Sequence, residues 1–353
     1  MFKKTSTKPN RFYQKKSFRL YLASFFIICA FRISLPYIAK YKINHELRDI
    51  SPTINGHIQD VDLGIVAGGF DLNEIEFKIK KTDVSFMKIR SIHTDLSWRR
   101  LLHGSIELKS IIKGMDFTYS NDLAAAIKVR KQATKKEIPS YLHVARVDIE
   151  DSVLRLSGYP SLTLKNGTLI TGISGRITNL LPRKEVSESF FEAHGLVLES
   201  GKLKMNGHMN FLKSSPTWSA EGEIKNFNLT EMNQFLYKKI PITFTKGWLD
   251  LYSELKTENS QIKGYIKPFI KDLDVIRSNE KFKSAKHWFL EIVTAFANLS
   301  LESHQVAATK IPFTYNSSGL HVQTSEAVAN LIKHGFIREE NQGADHKIQA
   351  EEE

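Results

Sequence analysis

Between Gly56 and Thr314, apolar and polar residues alternate with a period of two in one segment after another, and this pattern narrows the fold more than any other feature of the chain. Ile75, Phe77 and Ile79 alternate with Glu74, Glu76, Lys78 and Lys80. Ile92, Leu96 and Trp98 share a face of the next segment, and Ile106, Leu108 and Ile112 a face of the one after. In KLKMNGHMNF, Leu203, Met205, Met209 and Phe211 take one side, and Lys202, Lys204, Asn206, His208 and Asn210 the other. Trp218, Ala220 and Ile224, then Leu249, Leu251 and Leu255, continue the pattern. A helix would wind these side chains around its axis, whereas a strand sends alternate residues to opposite faces. The pattern predicts a mainly β body of antiparallel strands, each with one apolar and one wet face.

Roughly fourteen such segments, at about 4.8 Å each, would make a continuous sheet some 65 Å across. Such a sheet either curls into two packed layers or stays open as a long trough with its apolar face lining the concavity. Periodicity does not choose between them. An open trough exposes a large apolar surface, which a soluble chain avoids unless something apolar occupies it.

Helical segments are few. Asn121 to Lys136 opens on a capping residue and ends in a basic run before Pro139, which suits a short helix or a polar linker. Thr230 to Tyr237 has a capping Thr and one apolar face. Ser284 to Asn298 and Ser325 to Phe336 carry apolar residues three and four apart, as amphipathic helices do. The acidic end, 337–353, has too little apolar content to fold and reads as a solvated tail.

The charge is unevenly placed. The chain has 50 Lys and Arg against 38 Asp and Glu, a net of +12. Ten of those basic residues and no acid fall within the first 42 positions, which leaves the remainder at 40 against 38, nearly neutral. The excess therefore gives no basic surface on the body for nucleic acid. Instead it flanks LYLASFFIICAFRISLPYIA, twenty residues that as a helix rise about 30 Å, the thickness of a bilayer core. Seven positive charges precede this stretch, while Tyr41 to Asp60 hold two basic and three acidic residues. That asymmetry predicts a cytoplasmic amino terminus and an exported body. No small-x-small site follows the apolar run closely, so an uncleaved signal anchor is expected rather than a removed signal peptide. Arg19, Arg32 and Lys40 are the expected anchor residues, Arg32 leaning toward the outer headgroups. The single cysteine, Cys29, lies inside this span, which leaves the body without thiols.

The motifs of known chemistry are missing. The twelve histidines include no HxH or HExxH spacing, and one cysteine excludes a cysteine-cluster metal site. GISGR, with Gly172, Ser174 and Gly175, lacks the spacing of a nucleophile elbow, and no phosphate-cradling or dinucleotide glycine motif occurs. His208 and the scattered acids fall on polar strand faces. The expectation is a protein that is not an enzyme, with no cofactor and no metal site.

An ordered set of segments resembles the AsmA-like envelope proteins of bacteria. A basic terminus and single span lead into GHIQDVDLGIVAGGFDLNEIEFKI; then Leu96, Trp98, Leu101, Leu102 and Gly104 resemble that family's strand-turn-strand motif. PSYLHVARVDIEDSVLRL resembles its recurring unit, though Glu150, Asp151 and Ser152 stand where the family usually has a glycine, and Asn316 to Gly319 also depart from it; both departures are expected to fall in turns. Gly247, Asp250, Tyr252, Glu254, Gly264, Tyr265, Lys267 and Pro268 resemble the signature of one branch, known as domain of unknown function 748.

The resemblance implies a taco-like β-groove anchored in the inner membrane and reaching into the periplasm, with residues 1–19 cytoplasmic, 20–40 spanning, 41–336 forming the body and 337–353 the tail. A sub-boundary is possible near 121–139. It favours the open trough, and with it a role in binding or passing phospholipid for envelope lipid homeostasis. The acyl chains would lie against Leu203, Met205, Met209, Phe211, Trp218, Ile224, Leu249 and Leu251. The alternative is a non-enzymatic envelope scaffold that organises protein partners.

Overall fold

A computed structural model describes residues 11–48, 50–64, 68–130, 141–157, 167–181, 188–210, 217–236, 242–258, 261–277, 307–308, 310–316 and 319–322. The expected helices at 284–298 and 325–336, the tail at 337–353 and Phe211 lie outside the described residues.

The chain opens with α1, Arg11–Arg48, a helix long and apolar enough to cross a membrane; none of its most apolar window is buried by the rest of the protein. Ser24 returns its hydroxyl to the Leu20 carbonyl at 2.8 Å, so the apolar stretch shows no unsatisfied hydroxyl there. The body follows as β1 (Ile54–Gly64), β2 (Gly69–Ile79), β3 (Val84–Leu96), the short α2 (Trp98–Leu101), β4 (Ile106–Tyr119), α3 (Asn121–Arg130), β5 (Leu142–Leu156), β6 (Thr168–Leu181), β7 (Ser189–Val197), β8 (Gly201–Asn210) and β9 (Thr217–Asn228). A 3₁₀ turn at Leu229–Met232 and α4 (Asn233–Leu236) lead to β10 (Ile242–Glu258), β11 (Gln261–Arg277), β12 (Ala307–Ala308), β13 (Ile311–Asn316) and β14 (Gly319–Val322).

All fourteen strands belong to one open sheet, laid side by side in chain order, with β12 alone off the path beside β11. The protein is thus mainly β, as the alternation requires. One junction departs from the antiparallel expectation: β5 pairs with β4 in parallel. The reason is the long connection holding α3, which carries the chain back along the sheet before β5 begins, where a hairpin would have reversed it. The sheet runs unbroken across this crossover, at the place where a sub-boundary was considered.

Other local expectations are corrected. Ser120, not Asn121, caps α3, its Oγ accepting from the Leu123 N–H at 3.1 Å. Asn228, not Thr230, caps the 3₁₀ turn. Trp98 is not on the face of β3 but begins α2 beyond the strand. Glu150 to Ser152 form no turn between strands: they lie within β5, where Asp151 takes a positive φ of 48° and the register with β6 shifts. This is a bulge, and fully buried Ser152 uses it, accepting from the Met115 N–H and donating to the Glu150 carbonyl.

The strands have two ends. At the end marked by Ile54, Ile79, Val84, Tyr119 and Leu156, called distal below, helices cover the apolar face. Leu123 and Ala126 of α3 pack with Ile54, Ile79 and Phe86, and Thr53 donates to the Ala126 carbonyl. Farther along, Leu229 from the 3₁₀ turn joins Leu198, Phe227, Phe244, Leu273 and Ile311. The opposite, proximal end carries Gly64, Gly69, Leu96, Ile106 and Leu142.

Helix α1 lies along β1 and runs antiparallel to it. Leu47 stands against Gly56, Asn44 hydrogen-bonds Ile58, and Ala39, Ile43 and Leu47 pack on the cluster of Ile58, Val61, Ile75 and Ile89. The rest of the helix therefore leaves the body beyond the proximal end.

Candidate apolar binding face

Residues paired across a ladder share a face, so the registers trace rows of side chains across the sheet. On one face Leu203 lies opposite Ile224, which lies opposite Leu251, which lies opposite Pro268. The next row runs Gly175, Ala193, Met205, Gly222, Ser253, Ile266, and the one after it Ile177, Phe191, Gly207, Ala220, Leu255, Gly264. Met209 pairs with Trp218, and Leu249 with Phe227. The same face on the early strands presents Ile58, Ile75, Ile89 and Met115. The apolar side is therefore one surface along the whole sheet.

Seven of the eight residues expected to line a groove fall on this surface: Leu203, Met205, Met209, Trp218, Ile224, Leu249 and Leu251. All seven are half-buried. Ile224 and Leu249 pack against the core at the distal end, whereas the other five belong to none of the packed clusters. The clusters beneath α1 and α3, on the early strands, share Phe77 and Met87, but the one on the late strands stays apart from both. Two layers packed face to face would merge them into a single core. Over β5 to β10 the face is instead a floor without a lid among the described residues.

Small residues keep that floor low. Gly175, Ala193, Gly207, Ala220 and Gly222 sit at its centre, between the larger Met205, Phe191 and Leu255. At Gly207 no side chain fits: a Cβ would collide with the Ser219 carbonyl and the Phe191 ring. At the proximal end a shallow cavity of about 380 Å³ is lined by Glu188, His208, Met209, Asn210, Thr217, Trp218, Ser219 and Thr257. In the ladders His208 pairs with Ser219 and Asn210 with Thr217 on the face opposite Met209 and Trp218, so this cavity is not part of the apolar floor alone.

The opposite face is built for water. Cross-strand ion pairs run along it, Lys88 with Glu76, Lys113 with Glu150, Arg155 with Asp116 and Arg176 with Asp148, and Arg146 joins Asp148 from the same strand. Burial alone would raise the Asp148 pKa, but hydrogen bonds and charge from the two arginines outweigh it and hold the carboxyl below its ordinary value. Nearer α1, His93 Nδ1 meets Asp71 at 2.7 Å and Nε2 meets Asp95 at 3.3 Å, and the Asp71 hydrogen bond raises the imidazole pKa.

One part of this polar face is buried after all. On β10 and β11, Tyr252, Glu254, Tyr265, Lys267 and Phe269 are all shielded, Glu254 to 1% and Lys267 to 3% exposure. Tyr265 donates its hydroxyl to Glu254 at 2.6 Å, the Tyr252 and Phe269 rings meet edge to face, and Lys267 stands over Phe269. Strict alternation assigns these positions to solvent. The signal against it was the aromatic content of the polar side, Tyr252, Tyr265 and Phe269, which makes these two strands apolar on both faces.

Of the three residues expected to flank or anchor a span, Arg19 and Arg32 are exposed on α1, and Lys40 is half-buried where the helix reaches β1. Among the described residues, no group of three His, Cys, Asp or Glu side chains gathers where it could hold a metal ion. No protein-family model matches the chain, and no curated protein matches it.

Proposed function

We propose that this is an AsmA-like protein anchored in a bacterial inner membrane by α1, its body periplasmic, which holds phospholipid acyl chains against the apolar face of its sheet. The observation that carries the reading is the floor over β5 to β10, where Leu203, Met205, Met209, Trp218 and Leu251 are apolar, continuous and outside every packed cluster. Each methylene moved from water onto such a surface gains about 0.8 kcal/mol, so a long chain is held without any specific polar contact. Headgroups would stay in water beyond the apolar floor.

The test places a photocrosslinking residue at Met205 or Leu251 in living cells, with Lys204, on the opposite face, as the reference. Phospholipid adducts at the first two and none at Lys204 are expected, and a folded Leu251→Asp variant should lose the lipid that copurifies with the native chain. Equal labelling at Lys204, or none at Met205 and Leu251, refutes the reading.

A further inference from the structure

The link between β3 and β4 holds a cluster of exposed apolar side chains. Leu102 is 84% exposed, Trp98 44% and Leu101 37%, within a segment that also carries Arg99, Arg100 and His103. Single exposed leucines are ordinary, but a tryptophan and two leucines within five residues form a patch that asks for a partner. The segment is held in place. The Trp98 indole covers Gly68 of the β1–β2 turn, the Leu96 N–H donates to the Gly68 carbonyl at 2.8 Å, and the Ser97 N–H donates to the Glu107 carbonyl at 3.1 Å. Arg100 pairs with Glu107 at 3.2 Å, and the Leu101 and Leu102 N–H groups close a helical turn onto Ser97 and Trp98. The apolar side chains are thus presented outward from a fixed base.

Their position decides what that partner is. The link stands at the proximal end of the sheet, the end past which α1 leaves the body, and β3 is two strands from β1, about 10 Å sideways. A bilayer crossed by α1 therefore lies on the side of the sheet at which this link stands. The composition fits the same surface: tryptophan prefers the headgroup layer, leucine the acyl boundary just beneath it, and arginine the lipid phosphates.

We propose that the Trp98–His103 segment seats in the headgroup layer beside α1 as a second membrane contact. With α1 alone the sheet could swing about its anchor; with two contacts the proximal rim of the apolar face is held against the bilayer surface. This inference rests on reading α1 as a membrane anchor.

The experiment uses the full chain carrying Cys29→Ser, with one new cysteine at a time, Leu102→Cys, Ile33→Cys or Lys81→Cys, each labelled with an environment-sensitive fluorophore. Lys81 is exposed in the β2–β3 turn at the distal end, and Ile33 is exposed on α1. The proteins are reconstituted in vesicles of phosphatidylethanolamine and phosphatidylglycerol, with and without bromine on the acyl chains. The expected result is loss of emission in brominated vesicles at Ile33 and Leu102 but not at Lys81. Quenching at Ile33 with Leu102 behaving as Lys81 does overturns the docking inference and leaves the anchor standing. No quenching at Ile33 removes the anchor reading and the inference with it.

Discussion

The junction between anchor and sheet depends on one side chain, and Asn44→Leu tests it. β1 is the first strand of the sheet, so its outer edge has backbone groups without a strand partner. At Ile58 a single amide takes both: the Ile58 N–H donates to Asn44 Oδ1 at 2.7 Å, and Asn44 Nδ2 donates to the Ile58 carbonyl at 3.0 Å. Ile58 is only 2% exposed, and Ile43 and Leu47 pack around its cluster, so water is a poor substitute. A buried backbone group stripped of its partner costs about 1–3 kcal/mol. For two such groups, with about 1 kcal/mol returned by the larger apolar side chain, the loss is about 1–5 kcal/mol. That is roughly 5- to 5,000-fold in the opening equilibrium. Hydrogen exchange of the 54–64 segment, followed by mass spectrometry on the full chain in nanodiscs, reads this directly: the Ile58 amide should exchange faster by that order in the variant. Asn44→Asp keeps the acceptor and loses the donor, so it should fall between. Exchange in Asn44→Leu within about threefold of the native chain, under 1 kcal/mol, would refute the idea that this amide seals the edge.

Two further outcomes follow from the polar side of the sheet. Tyr265→Phe removes the hydroxyl donated to buried Glu254 and should cost about 1–3 kcal/mol in urea unfolding, more than a typical exposed tyrosine; an unchanged midpoint would show that the pair carries no weight. His93 should titrate above its ordinary value of 6.5 because Asp71, then Asp95, favour the imidazolium. Its folded pKa being the higher one, the contribution is complete below the unfolded value and fades as pH rises through the folded one. Imidazole NMR should show Asp71→Asn moving that titration downward, and a His93 that already titrates at or below 6.5 in the native chain contradicts the assignment.

What could be read from the sequence was whatever repeats. The alternation around Leu203, Trp218 and Leu251 placed those residues on one face, because strand parity is a local property and the ladders carry it from neighbour to neighbour. A helix long and apolar enough to cross a membrane was legible from composition and length alone. Features set by distant parts of the chain were not. The parallel junction depends on where α3 sets down β5, and periodicity is blind to strand direction. Burial of Glu254 and Lys267 depends on what stands over β10 and β11, which parity assigns to water. The bulge at Asp151 replaced an expected turn because a strand can absorb an extra residue without ending. Asn44 reads as an ordinary polar residue at the end of a helix until the strand edge it meets is known.

Strand order in the sheet is also the order of synthesis, so almost every new strand finds its partner already in place at the growing margin. A chain built in this order can form the sheet by accretion, most of its hairpins closing over a short loop with little entropy to overcome. Two strands must wait: β5, since α3 has to turn the chain back before it can dock, and β13, which follows β11 only after a long connection. Until each does, the edge of β4 or of β11 stands open, and there a nascent molecule is exposed to joining a neighbour instead of itself.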